Sequence, residues 1–118
     1  MSATTYQKGL WAEALAEIFL RLKAYRILEK RYKTPVGEID ILATRKNTLI
    51  AIEVKARKSR EDALYAINTK TQNRIVRALE YYVSHNPKWA DKNFRFDIIT
   101  IKLPFFIAHV DNAWRPRS

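Results

Sequence analysis

Two runs of alternating apolar residues, Glu38–Thr44 and Leu49–Arg57, constrain this chain more than any other part of it. Apolar side chains at every second position are the pattern of a strand with one face buried. Only a short polar stretch around Arg45-Lys46-Asn47 separates the runs, a length that suits a hairpin.

The flanking segments supply further elements. From Tyr6 to Tyr25, Trp11, Leu15, Ile18, Phe19 and Leu22 recur at helical spacing and form one expected apolar stripe. Arg26 to Tyr32 alternates as a first strand, and Thr34-Pro35-Val36-Gly37 is a turn leading into the second. Glu61 to Asn86 reads as a second helix with Ile75, Leu79, Tyr82 and Val83 buried. A break is expected near Asn68-Thr69, where threonine can cap a new start, and Asn86-Pro87 ends the helix. Arg95–Lys102 alternates as a fourth strand, and Phe105–Val110 follows Pro104 as a fifth. The order helix, three strands, helix, two strands predicts an α/β fold, a mixed central sheet flanked by helices. With no repeat, no linker and glycine only at Gly9 and Gly37, residues 1–118 read as one domain.

Composition narrows the chemistry. At 47% apolar, the chain can bury a core without covalent help. It has no cysteine, which removes disulfides, thiol nucleophiles and zinc–thiolate sites and suits a reducing cytoplasm. No apolar run approaches the roughly 18 residues of a membrane span, and the N-terminus has no signal-peptide pattern, so no membrane partner is expected. Lysine and arginine number 22 against 12 aspartates and glutamates, a net charge of +10. That balance favours a polyanion: nucleic acid first, with the ribosome or an acidic membrane surface as alternatives.

The third strand breaks its own pattern. Ile50, Ile52, Val54 and Ala56 point one way, which sends Glu53 and Lys55 together to the other face. On the second strand Ile39 and Ile41 share a face, opposite Glu38 and Asp40. If the two strands pair, Asp40 and Glu53 stand near each other. Adjacent carboxylates repel, and a divalent cation relieves the repulsion. Lys55 then sits as a point charge beside a metal-bound water or a phosphate. The same triplet also suits an ordinary ion pair on a half-exposed sheet.

Asp40, twelve intervening residues and then Glu53-Val54-Lys55 resemble the D…E-x-K signature of the restriction-endonuclease-like fold. More narrowly, the chain resembles the YraN family of small bacterial endonuclease-like proteins, relatives of archaeal Holliday-junction resolvases. The matching blocks are Gly9, Glu13, Ala16 and Leu20; Gly37-Glu38-Ile39-Asp40-Ile41-Leu42; Glu53-Val54-Lys55-Ala56-Arg57; Lys70 and Arg74; and Arg95-Phe96-Asp97. Ala12 and Ala24 stand where the family usually has glycine, and neither is a ligand position.

The resemblance implies a restriction-endonuclease-like domain and a set of roles. Asp40 and Glu53 would hold Mg2+ or Mn2+, with help from the Val54 carbonyl. Lys55 would position or polarise the attacking water, and Glu13 would approach the metal from the first helix. Glu38 would flank the site. The implied activity is metal-dependent cleavage of phosphodiester bonds in DNA, branched or damaged DNA included. The alternative is a module that keeps the fold and binds nucleic acid without cutting it. A homodimer is a further expectation by analogy with resolvases that cut two strands.

Independently, Lys70, Arg74 and Arg77 share one helix face and can track a phosphate backbone, with Arg57, Lys58 and Arg60 adding charge near the site. The remaining candidates read as structural. Trp11 and Tyr81-Tyr82 are expected in the core, and His85 and His109 at the surface or in loops.

Overall fold

The computed structural model describes residues 5–56, 67–102 and 106–116. Helix α1 (Thr5–Leu22) leads into strands β1 (Arg26–Thr34), β2 (Gly37–Arg45) and β3 (Thr48–Ala56). Helix α2 (Thr69–His85), a 3-10 turn (Pro87–Trp89) and strands β4 (Asn93–Lys102) and β5 (Phe106–Trp114) follow. The strands form one five-stranded sheet in the order β1-β2-β3-β4-β5. Neighbours are antiparallel except β3 and β4, which are parallel. A parallel pair needs a long crossover connection, and α2 lies within it. This is the α/β architecture and element order that the sequence predicts.

Because β3 is central and buried on both faces, it reads as a nearly continuous apolar run. Ile50, Ile52 and Val54 join Ile41, Ala43 and α1 in one cluster, while Leu49 and Ala51 join Leu42 and α2 in the other. Each helix therefore covers one face of the sheet. α2 starts where a break was expected, but Asn68 is the cap: its side chain accepts the Thr71 N–H at 2.9 Å. The earlier part of the expected helix, 61–66, lies outside the described residues, as does Phe105.

Two expectations need correction. The buried line of α1 is Ala12, Ala16 and Leu20, supported by Leu15 and Phe19, whereas Trp11, Ile18 and Leu22 are exposed. Apolar residues lie all round this helix, and the sheet takes the side with alanines, which let a helix backbone approach closely. The alternation of β2 also fails at Asp40: Ile39 packs with α2 and Ile41 with α1. The β1–β2 register pairs Tyr32 with Ile39 and Lys30 with Ile41, and between them Arg31 has a left-handed φ of 52°. The hairpin is irregular where Asp40 sits.

Candidate metal and phosphate site

The site forms where the β2–β3 hairpin opens. The ladder runs from Arg45 opposite Thr48 to Ile41 opposite Ile52. One residue further, the Asp40 side chain enters: its Oδ2 accepts the Val54 N–H at 2.9 Å. A charged acceptor on a backbone N–H makes a strong bond and orients the carboxylate. Glu53 follows on β3, and Lys55 Nζ lies 3.5 Å from Glu53 Oε1. Asp40, Glu53 and Lys55 therefore meet, as the sequence pattern implies, and Val54 takes part through its N–H.

Glu53 is 9% exposed. Burial, and then the charge and hydrogen bonding of Asp40, push its carboxyl up to about 8 against the pull of Lys55. Burial disfavours the charged form, and a second carboxylate disfavours it further. Among the described residues, Lys55 is the cation that the structure pairs with these two acids.

Glu13 approaches from α1 and is held by Arg31, whose Nε donates to Oε1 at 3.2 Å. Glu13, Arg31, Lys33, Glu38 and Asp40 line an open cavity of about 290 Å3. Glu13 thus shares a cavity with Asp40, and Glu38 flanks it at the exposed side. Neither Arg31 nor Lys33 stands out in the sequence, because each is one cation among 22 on an exposed strand.

Among the described residues, no group of three or more acidic or histidine side chains is placed to hold a metal ion. Asp40 and Glu53 fit a different kind of site. A hard cation of the magnesium class takes one or two protein carboxylates and keeps several waters for itself and for phosphate. Two neighbouring carboxylates, one of them oriented by a backbone N–H, suit that class.

The basic face is partly in view. Lys70, Arg74 and Arg77 are all exposed on α2, opposite the buried Ile75, Ala78 and Leu79. Gly37 ties this helix to the site: a Cβ there would collide with the Arg74 carbonyl. Glycine lets the backbones meet, and Asp40 lies three residues along the same strand. Arg57, Lys58 and Arg60 lie outside the described residues.

A second polar cluster lies on β4 and β5. Asp97 is fully buried. Arg95 grips both of its oxygens at 2.8 Å, His109 Nε2 lies 2.8 Å away, and the Asn112 N–H donates at 3.0 Å. Lys23 Nζ lies 2.7 Å from His109 Nδ1. An ammonium only donates, so Nδ1 accepts and Nε2 carries the proton toward Asp97. His109, expected at the surface or in a loop, is a residue of β5 whose side chain is 5% exposed, while His85 is exposed and stacks on Tyr81. Trp11 is likewise corrected, from core to 63% exposed. The sequence marked Arg95-Phe96-Asp97 as a block but gave no sign that residues of β5 complete it.

The model of a family described as "Uncharacterised protein family UPF0102" matches residues 12–101. A UPF0102 protein of Parvibaculum lavamentivorans is 41% identical over 111 residues, 94% of this chain and 84% of that protein. One of Nitrobacter winogradskyi is 44% identical over 101 residues, 86% of each. One of Chelativorans sp. is 39% identical over 112 residues, 95% of this chain and 90% of that protein.

Proposed function

Since the chain belongs to the UPF0102 family, the YraN family of the sequence resemblance, we propose that it is a metal-dependent endonuclease-type phosphodiesterase acting on DNA in the cytoplasm. One observation carries the proposal: Asp40, oriented by the Val54 N–H, meets Glu53 and Lys55 where the central hairpin opens. Asp40 and Glu53 are the residues that hold Mg2+ or Mn2+. The bound ion supplies Lewis-acid polarisation of the scissile phosphate and lowers the pKa of water.

The protein's own groups do the rest. The Val54 N–H keeps Asp40 in one orientation, so its ligand oxygen needs no reorganisation. Lys55, held beside Glu53, positions the attacking water and balances charge that builds on the phosphate. Glu13, pinned by Arg31, shapes the wall of the cavity next to Asp40. Lys70, Arg74 and Arg77 meet backbone phosphates, which position a nucleic acid without reading its sequence.

A nicking assay with Mg2+ or Mn2+ on linear, nicked, flap and four-way-junction DNA tests this. Lys55→Ala should lower the cleavage rate about a hundredfold or more, the scale for losing one electrostatic group aimed at the transition state. Its binding to DNA should weaken only modestly, since one of many cations is lost. Thermal melts of the variant accompany the assay, because removing Lys55 strands Glu53. If the folded wild type binds these DNAs and cleaves none of them, the chain is a binding module with a silent site.

A further inference from the structure

Strand β4 carries a buried hydroxyl with nothing to bond. Thr100 is 2% exposed, and among the described residues its Oγ1 has no hydrogen-bond partner. Buried hydroxyls are nearly always paired, and an unpaired one costs stability. Valine has the same shape and the same β-branched preference, without an oxygen to strand. The fold alone gives no reason for threonine here.

The sheet register shows what the hydroxyl lies beside. The parallel pairing sets Thr100 directly across from Lys55, and Ile98 across from Glu53. Residues so paired share a face, so all four lie on the side of the sheet opposite Val54 and Ile99, which pack with α1. On the other flank the residue across from Thr100 is Ala108, which brings no polar side-chain atom. Along β4 itself the neighbours on this face are the buried Ile98 and the exposed Lys102. Among the described residues, the polar side chain abreast of the hydroxyl is therefore that of Lys55, one strand spacing of about 4.8 Å away.

Lys55 is loosely held. Its Nζ lies 3.5 Å from Glu53 Oε1, beyond the roughly 2.7–2.9 Å of a tight charge-assisted bond. An ammonium has three donors and no acceptor, while a hydroxyl oxygen has two lone pairs to offer. We propose that Thr100 is the positioning residue for Lys55, a role that rests on the metal-dependent reading of the site. Its hydroxyl accepts the ammonium when Glu53 turns its oxygens to a divalent ion. Nζ then stays at the edge of the site, where a phosphate oxygen or the attacking water can meet it, and does not follow the carboxylate or swing into solvent. A local cost in stability is kept where a site uses it.

Thr100→Val, which removes the oxygen and keeps the shape, and Thr100→Ser, which keeps the oxygen, test this in the full chain. Thr100→Val should melt at or above wild type. In 1H–15N spectra of chains labelled at lysine Nζ, saturating Mg2+ should bring out the Lys55 ammonium of wild type, because a hydrogen-bonded ammonium exchanges its protons slowly. Lys55→Ala assigns the signal. It should persist in Thr100→Ser and be lost in Thr100→Val. On a DNA that wild type cleaves, Thr100→Val should lower kcat about tenfold or more at unchanged KM, the scale for a group supporting a metal site from behind its ligands. Thr100→Ser should restore most of that rate. A Lys55 signal that ignores Mg2+ in wild type, or that is the same in Thr100→Val, would overturn the proposal. So would a Thr100→Val chain that melts well below wild type, since the hydroxyl would then serve the fold. A wild type whose Lys55 signal depends on Mg2+ and on Thr100, but which cuts no DNA, would uphold the positioning role and sink the nuclease reading.

Discussion

Two carboxylates on neighbouring strands have opposite surroundings. The parallel register pairs Ile52 with Asp97 and Glu53 with Ile98, so Glu53 and Asp97 sit one step apart and project to opposite faces of the sheet. Both are buried. Asp97 receives Arg95, His109 and a backbone N–H, and although burial alone would raise its carboxyl, the His109 and Arg95 hydrogen bonds keep it below the ordinary range. Among the described residues Glu53 faces another acid, Asp40, and the single cation Lys55, and its carboxyl is pushed up to about 8. A satisfied buried charge ties elements together, here β4, β5 and the end of α1. An unsatisfied one weakens the fold and leaves room for an external cation. Burial of an acid is therefore no guide to function, and its partners are.

The largest effect should come from breaking the satisfied side. Asp97→Asn leaves Arg95 without its counter-charge and should destabilise the protein by about 3–5 kcal/mol, the scale for breaking a buried pair. Denaturant melts measure it. Glu53→Gln, made at the same depth one step away, should be neutral or stabilising in metal-free buffer. Equal losses at the two positions would erase the distinction.

Metal should separate them next. Mn2+ at a hundred times its dissociation constant stabilises the folded state by about 2.7 kcal/mol. Differential scanning calorimetry should show that shift in wild type and in Asp97→Asn, and little of it in Asp40→Asn. A shift that persists in Asp40→Asn would place the ion elsewhere.

The two acids should also give opposite pH dependences in metal-free protein. Asp97 titrates lower when folded, so its stabilisation is complete above about pH 4 and is lost as pH falls through the depressed value. Glu53 titrates higher when folded, so the folded state retains a proton that the unfolded chain releases. Its contribution is complete below the unfolded value and declines as pH rises toward about 8. Melts across this range should fall at the alkaline end in wild type and flatten there in Glu53→Gln.

The smallest effect lies at neither carboxylate and calibrates both. α1 ends with the Tyr25 N–H on the Leu20 carbonyl at 2.9 Å and the Ala24 N–H on Arg21 at 3.1 Å, a Schellman cap. Ala24 takes the left-handed position with φ 68°, where a side chain is strained. Ala24→Gly should stabilise by about 0.5–1 kcal/mol after allowing for the freer unfolded chain. An unchanged melting temperature would mean that the cap carries no strain.

The element order and the meeting of Asp40, Glu53 and Lys55 were legible in the sequence, because both depend on local rules. Period-two alternation identifies strands, and a short polar turn brings Asp40 opposite Glu53. The His109–Asp97 contact was not legible. Its partners come from β5 and the end of α1, joined by no spacing rule. The exposed line of α1 was misread for a related reason: helical periodicity reports that apolar stripes exist, and Trp11, Leu15, Ile18 and Phe19 belong to two different ones.

By itself, the sequence determined the elements, their order and which residues carry charge into the middle of the sheet. Backbone period, turn chemistry and side-chain alternation act within a few residues and need no partner. Only the tertiary structure decided which side of α1 the sheet covers, which buried acid is neutralised, and where Asp40 finds its backbone donor. Those outcomes depend on which distant groups arrive at the same place, and burial makes each arrival count, since a charge removed from water must find its partner in the protein or in a ligand.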